Sequence, residues 1–217
     1  NNPQKRLSIQ NSYGSFASRK HSLLYQSGLQ QGFSTDIRLS QIASNGYIDR
    51  ASSQLASYYV STAYTQPRYS IRITHFAGKE KTYQAWYGTP ESVVNQNQDE
   101  IIAYADRNYI FGDDRENLLN SGRTYNYYTY DNEVDNYQQD HYQLHFNHLF
   151  KKYFKLTTAL HYTRGKGYYE QYKAGEDFSD YGFAPIIFTN DTVTSTDLIR
   201  RRWLDNHFFG GIFSLSF

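Results

Sequence analysis

The sequence predicts an all-β protein: an antiparallel, up-and-down sheet of about eight strands forming a segment of a transmembrane β-barrel. Three observations lead there. The first is period two. From Phe154 onward, Phe154, Leu156, Leu160 and Tyr162 point one way while Lys155, Thr157, His161 and Thr163 point the other, as in a strand with one apolar face. The second is composition. Hydrophobic residues make up 39% of 217 and the mean hydropathy is −0.77, thin for a soluble core, yet 23 Tyr and 14 Phe make 18% of the chain aromatic. A membrane barrel has that balance, because lipid meets every second strand residue and aromatic rings crowd the two interfaces. The third is loop asymmetry. Residues 30–32, 65–68 and 150–153 are tight turns, whereas 44–54, 79–135 and 165–196 are long and polar, with 14–19 the one short connection on that side. Short periplasmic turns and long outer loops are a barrel's rule, and a soluble sandwich has no reason for it.

Each strand follows from its own dyad, at or near the 9–11 residues needed to cross a bilayer with tilt. Residues 5–13 carry Leu7, Ile9 and Tyr13; 20–30 carry Leu23, Tyr25 and Leu29; 33–43 carry Phe33, Ile37 and Leu39 opposite Asp36 and Arg38. Residues 55–65 carry Tyr58, Val60 and Tyr64, and 68–77 carry Tyr69, Ile71 and Ile73 opposite Arg72. Residues 136–149 carry Tyr142, Leu144 and Phe146 opposite His141, Gln143 and His145, and 153–164 set their apolar face against Lys155 and His161. In 197–217 the band is best placed at Phe209 to Phe217, which leaves Arg200, Arg201 and Arg202 above the membrane and Trp203 near the outer interface. No dry core would hold Asp36, Arg38, Arg72, His141, His145, Lys155 and His161 unpaired, so they are assigned to a water-filled lumen.

Several classes are disfavoured. No window approaches the roughly 18 apolar residues of a spanning helix. With 22 Lys and Arg against 21 Asp and Glu there is no basic surplus for nucleic acid, and Cys 0 removes thiol chemistry. There is no Gly-x-Ser-x-Gly elbow and no phosphate loop, so neither an enzyme nor a cofactor is expected. His141 and His145 share a face but lie about 13 Å apart at the usual strand rise, and Asp113, Asp114, Asp131 and Glu133 lack the spacing of a dedicated calcium loop, so no metal site is expected. With no leader at its start and Met 0, the chain reads as a piece of something longer.

Four blocks carry a resemblance: Asn45 to Ser52 (NGYIDRAS), Gly78 to Trp86 (GKEKTYQAW), Asp135-Asn136-Tyr137 with His141 to Leu144, and Gly165 to Glu170 (GKGYYE). The chain resembles the barrel of TonB-dependent outer-membrane receptors of the Bacteroidetes type. That resemblance implies a 22-stranded barrel filled by an N-terminal plug, importing a scarce ligand such as an iron–siderophore, haem or cobalamin, with TonB as the energy-coupling partner. Neither a plug nor a TonB-box stretch is seen, so residues 1–217 are expected to be roughly a third of such a barrel. Independently of the family, Gly46 and Gly78 stand where strands would bend on leaving the membrane, Asp49 and Arg50 could tie the rim to neighbouring loops, and Arg200 to Arg202 could meet lipopolysaccharide phosphates.

Ligand contact is expected from loop 79–135, through Tyr83, Trp86, Tyr87, Tyr109, Tyr127 and Tyr128 with Arg107, Arg115 and Arg123. Rings offer stacking area at small entropy cost, and guanidinium groups pair with carboxylate or catecholate oxygens. The rival is a complete eight-stranded barrel with a structural or adhesive role, prompted by Phe213, Leu215 and the final Phe217. Pairing between 5–13 and 209–217 would establish it.

Overall fold

The computed structural model describes residues 4–150 and 153–217. Seven strands come in order: β1 (Arg6–Gly14), β2 (Ser18–Gln26), β3 (Phe33–Ser44), β4 (Ser53–Thr65), β5 (Tyr69–Tyr83), β6 (Val134–Phe150) and β7 (Phe154–Asp177). A small hairpin of β8 (Ile186–Phe188) and β9 (Asp191–Val193) then leads to β10 (Ser195–Ser216). The main sheet runs β1-β2-β3-β4-β5-β6-β7-β10, every neighbour antiparallel. The expected tight turn at 150–153 falls partly on residues 151 and 152, outside the described residues.

Register decides the faces. Leu7 pairs with Tyr25, Tyr25 with Ile37, Ile37 with Val60, Val60 with His75, His75 with Tyr142, Tyr142 with Tyr162, and Tyr162 with Phe209. All eight apolar dyads therefore share one face. Nothing covers that face within the membrane band: Leu7, Ile9, Ile73, Phe209, Phe213 and Leu215 are each at least 60% exposed. A bare apolar face of this extent must meet another apolar medium, and hydrocarbon is one that suits strands. The other face carries Asp36, Arg38, Arg72, His141, His145, Lys155 and His161, with Arg72 directly opposite His145 and Asp36 opposite Ser61. Its rings are used locally. His141 stacks on Phe76 at 4.3 Å and bonds Thr163 and Gln139, and His161 lies 5.0 Å from Phe208.

The same pairing line measures tilt. It crosses β1 one residue above its foot, β4 five above and β10, seven strands from β1, seven above. A climb of about one residue per strand, about 3.3 Å against a 4.8 Å strand spacing, corresponds to a tilt of about 35°, that of a closed barrel wall. Yet this sheet is open. Among the described residues β1 and β10 are each paired on one side only, so the pairing of 5–13 with 209–217 that an eight-stranded closure requires is not made.

The strands outrun the membrane on the loop side. β5 continues through Gly78 to Tyr83, and β7 and β10 rise together to Asp177 and Ser195, so the large loops span 84–133 and 178–194 rather than 79–135 and 165–196. Gly78 is regular strand, paired with Ser57 and Gln139, and makes no bend. Gly46 does turn the chain, at φ 77°, where a Cβ would strike the Ala51 carbonyl. The arginine run alternates faces: Arg201 turns to the apolar side, where it bonds Glu170, while Arg200 bonds Gln171 and Arg202 covers Tyr169 on the polar side. The three do not form one grip.

Candidate ligand-capture surface

Loop 84–133 is a small folded unit. Its helices are α1 (Glu91–Asn95), α2 (Gln98–Arg107) and α3 (Gly112–Asn120), followed by one 3₁₀ turn over Gly122–Thr124. Helix α2 is written in the chain: the Asn97 side chain accepts the Glu100 N–H as an N-cap, Asp99 and Glu100 meet the positive helix end, and Ile101 and Ala105 repeat at i, i+4. With Val93, Leu118 and Tyr125 they close a private core. Asn97 with Glu100 before an apolar repeat was the signal that could have predicted this helix; the aromatic count of the loop concealed it.

The run from Tyr125 to Tyr128 joins this unit to the sheet. Tyr125 enters the helical core, Tyr128 packs with Tyr83, Val134 and Tyr168 above the apolar face, and Tyr127 turns outward. Burial pushes the Tyr125 and Tyr128 hydroxyls up to about 12, so both stay neutral. Between them Asn126, 2% exposed, donates to the carbonyls of Asp49 (2.8 Å) and Gln84 (3.0 Å) and accepts the Tyr128 N–H (3.1 Å). Arg50, held at φ 64°, donates to the carbonyls of Tyr128 (2.9 Å) and Asn126 (3.2 Å). The rim loop between β3 and β4 is thus locked to the aromatic run.

Glu170 of β7 holds the far end. It is 2% exposed and accepts bonds from Tyr130 (2.8 Å), Asn132 (2.6 Å) and Arg201. Burial pushes its carboxyl up, but these three donors outweigh it and hold the group below the usual carboxylate range. Glu133, buried nearby with the Tyr172 N–H at 3.0 Å, is raised by burial.

What remains free is a strip of rings. Trp86 and Tyr87 are 63% and 72% exposed; Tyr87 lies 4.5 Å from Tyr127, and Trp86 meets Tyr128 and Tyr169 edge-on at 6.5 and 6.1 Å. The Arg202 guanidinium covers Tyr169 at 5.4 Å. Tyr169 and Arg202 sit at the upper end of the polar face, so the strip leads from the outer loop onto that face. Of the expected ligand residues, the structure gathers Trp86, Tyr87, Tyr127 and Tyr128. Tyr83 stands beneath them, its hydroxyl spent on the carbonyls of Tyr128 and Tyr130. Arg115 is bonded to Asp106 (2.7 Å) and Arg123 to the Val94 carbonyl (2.9 Å) within the helical unit, where Arg107 and Tyr109 are exposed. Arg202, distant in sequence, is the cation that lies against the rings of this strip. Among the described residues no three His, Asp or Glu side chains are grouped to hold one metal ion.

Two solved structures share this architecture. The open form of the ferric-catecholate import receptor Fiu from E. coli K12 superposes with a TM-score of 0.65 over 99% of this chain, at 14% identity. Its closed form gives 0.60 over 94%, again at 14%. The fold is that of a segment of an antiparallel, up-and-down β-barrel. The chain spans 32% and 27% of those two receptor chains, in keeping with an open arc of eight strands. No protein-family model and no curated protein matches the sequence.

Proposed function

We propose that this chain forms wall and outer loops of a TonB-dependent receptor in a Gram-negative outer membrane, of the Bacteroidetes kind that its motif blocks resemble. In this reading the receptor imports a ferric chelate with flat, anionic arms of the catecholate type, and performs no catalysis itself. The plug and its TonB contact would come from residues outside these 217. The observation that carries the reading is the exposed strip of Trp86, Tyr87 and Tyr127 leading to Tyr169 under Arg202, at the top of the polar face of a barrel arc. Rings stack on catechol planes, and a guanidinium answers their oxygens. The resemblance to a ferric-catecholate import receptor supports that choice of chelate over haem or cobalamin.

Ferric tris(2,3-dihydroxybenzoate) titrated against the parent receptor in detergent, followed by tryptophan fluorescence, tests it. Trp86→Ala and Arg202→Gln are each expected to weaken binding about tenfold or more, from about 1.5 kcal/mol of ring or charged-bond energy apiece. Arg123→Gln, in the same loop but bonded to Val94, should leave affinity within twofold. Unchanged affinity in both strip variants would dismiss the proposed surface.

A further inference from the structure

Above the hydrocarbon face the cross-strand rungs of β5, β6, β7 and β10 read as a depth scale. Ile73, Leu144 and Leu160 form an apolar rung. Two residues higher come His75, Tyr142 and Tyr162, a stacked row with His75 4.2 Å from Tyr142, its Nε2 hydrogen-bonded to the Tyr58 hydroxyl at 3.1 Å, and Tyr162 bonded to His207 at 2.8 Å. Polar-tipped rings in a row are what an interface between hydrocarbon and headgroups selects. Four residues above this row, about 10 Å along the membrane normal, Lys79, Gln138, Lys166 and Asp205 form a rung on the same outward face.

We infer that Lys79 and Lys166 form an outward-facing site for the phosphorylated headgroup of an outer-leaflet glycolipid. Both side chains are exposed, and among the described residues neither has an ion pair. They flank Gln138, two strand spacings or about 10 Å apart, and border a depression of about 330 Å³. Tyr168 and Trp203, one rung higher and 4.7 Å apart, wall its upper side and offer apolar edges to a sugar ring. The nearby carboxylates are already engaged: Asp205 by Arg164 (3.2 Å) and His207 (3.3 Å), Asp140 by Gln138 (3.0 Å) with His75 at 3.8 Å. Asp205 stands opposite Lys166, and Arg164, one rung below beside Asp140, adds a third cation, so three cations face two carboxylates and a net positive charge remains at the level where lipid phosphates lie, with the ring row and then the apolar rung beneath. A freely soluble phosphate would have no need of that apolar and aromatic ladder.

The inference rests on the membrane reading of the apolar face, and its test separates the two. The delipidated parent protein in detergent is offered bis-phosphorylated lipid A, the same lipid after phosphatase treatment, and inorganic phosphate, with retention read by native mass spectrometry. Wild type should retain the phosphorylated lipid at least tenfold better than the dephosphorylated one, with millimolar inorganic phosphate failing to displace it. The double variant Lys79→Gln, Lys166→Gln should lose that preference, while Lys155→Gln on the opposite face keeps it. Retention of the phosphorylated lipid by the double variant equal to wild type, equal loss in Lys155→Gln, or full displacement by inorganic phosphate would each overturn the site. Failure of wild type to retain either lipid would instead overturn the membrane reading itself.

Discussion

Leu144→Arg is expected to destabilise the protein in lipid vesicles by about 2–4 kcal/mol, whereas Gln143→Arg, the adjacent residue on the same strand, should cost less than about 1 kcal/mol. The difference comes from parity. Leu144 lies between Ile73 and Leu160 on the bare apolar face, and a guanidinium there must be dehydrated or pull water into hydrocarbon. Gln143 lies between Thr74 and His161 on the polar face, where water and neighbouring side chains receive the charge. Denaturant titration of the parent protein refolded into vesicles measures both. Equal costs, or a larger one for Gln143→Arg, would mean that the apolar face does not meet lipid. The pair also controls for register: a slip of one residue between β6 and its neighbours would exchange the two outcomes.

That parity was legible without coordinates. Except for Leu29, which lies in the turn past the end of β2 at Gln26, the dyads taken from the sequence, from Leu7 and Ile9 to Phe213 and Leu215, share the one face that pairing defines, because one-sided burial in any apolar medium imposes period two on the chain itself. The strand tops were not legible. Beyond Thr163 the face behind β7 is no longer lipid, so Tyr168, Glu170 and Tyr172 lose the apolar signature, and what keeps them in a strand is pairing with Ile199 to Trp203, a long-range fact. The aromatic strip shows the same division. Grouping arginines by nearness in sequence selected Arg107, Arg115 and Arg123, two of which serve the helical unit, while Arg202 arrives from another strand to cover Tyr169. Local composition identifies which residues have suitable chemistry; the sheet decides which of them meet.

Asn126→Ala should release the aromatic strip without unfolding either the sheet or the helical unit. The side chain satisfies three buried backbone groups at once, the carbonyls of Asp49 and Gln84 and the N–H of Tyr128, each from a different part of the outer surface. Alanine leaves all three without that partner, and at about 1–3 kcal/mol per stranded group, with partial relaxation, about 3–5 kcal/mol of docking energy is lost. The helical unit keeps Val93, Ile101 and Leu118 in its own core, so it should swing as a body rather than melt. Hydrogen exchange distinguishes these outcomes: amides at 48–52 and 126–130 should exchange on the order of a hundredfold faster, while those of Ile101 and Leu118 and of β4 to β6 hold near wild type. Arg50→Lys provides the graded comparison, since an ammonium replaces the two-pronged grip on Asn126 and Tyr128 with a single point charge and should loosen the same amides less. If Asn126→Ala leaves exchange at 48–52 unchanged, the rim is fastened elsewhere and the strip does not depend on it. If Ile101 and Leu118 exchange as fast as Tyr128, the loop has no independent core, and the placement of Trp86 and Tyr87 rests on the sheet alone.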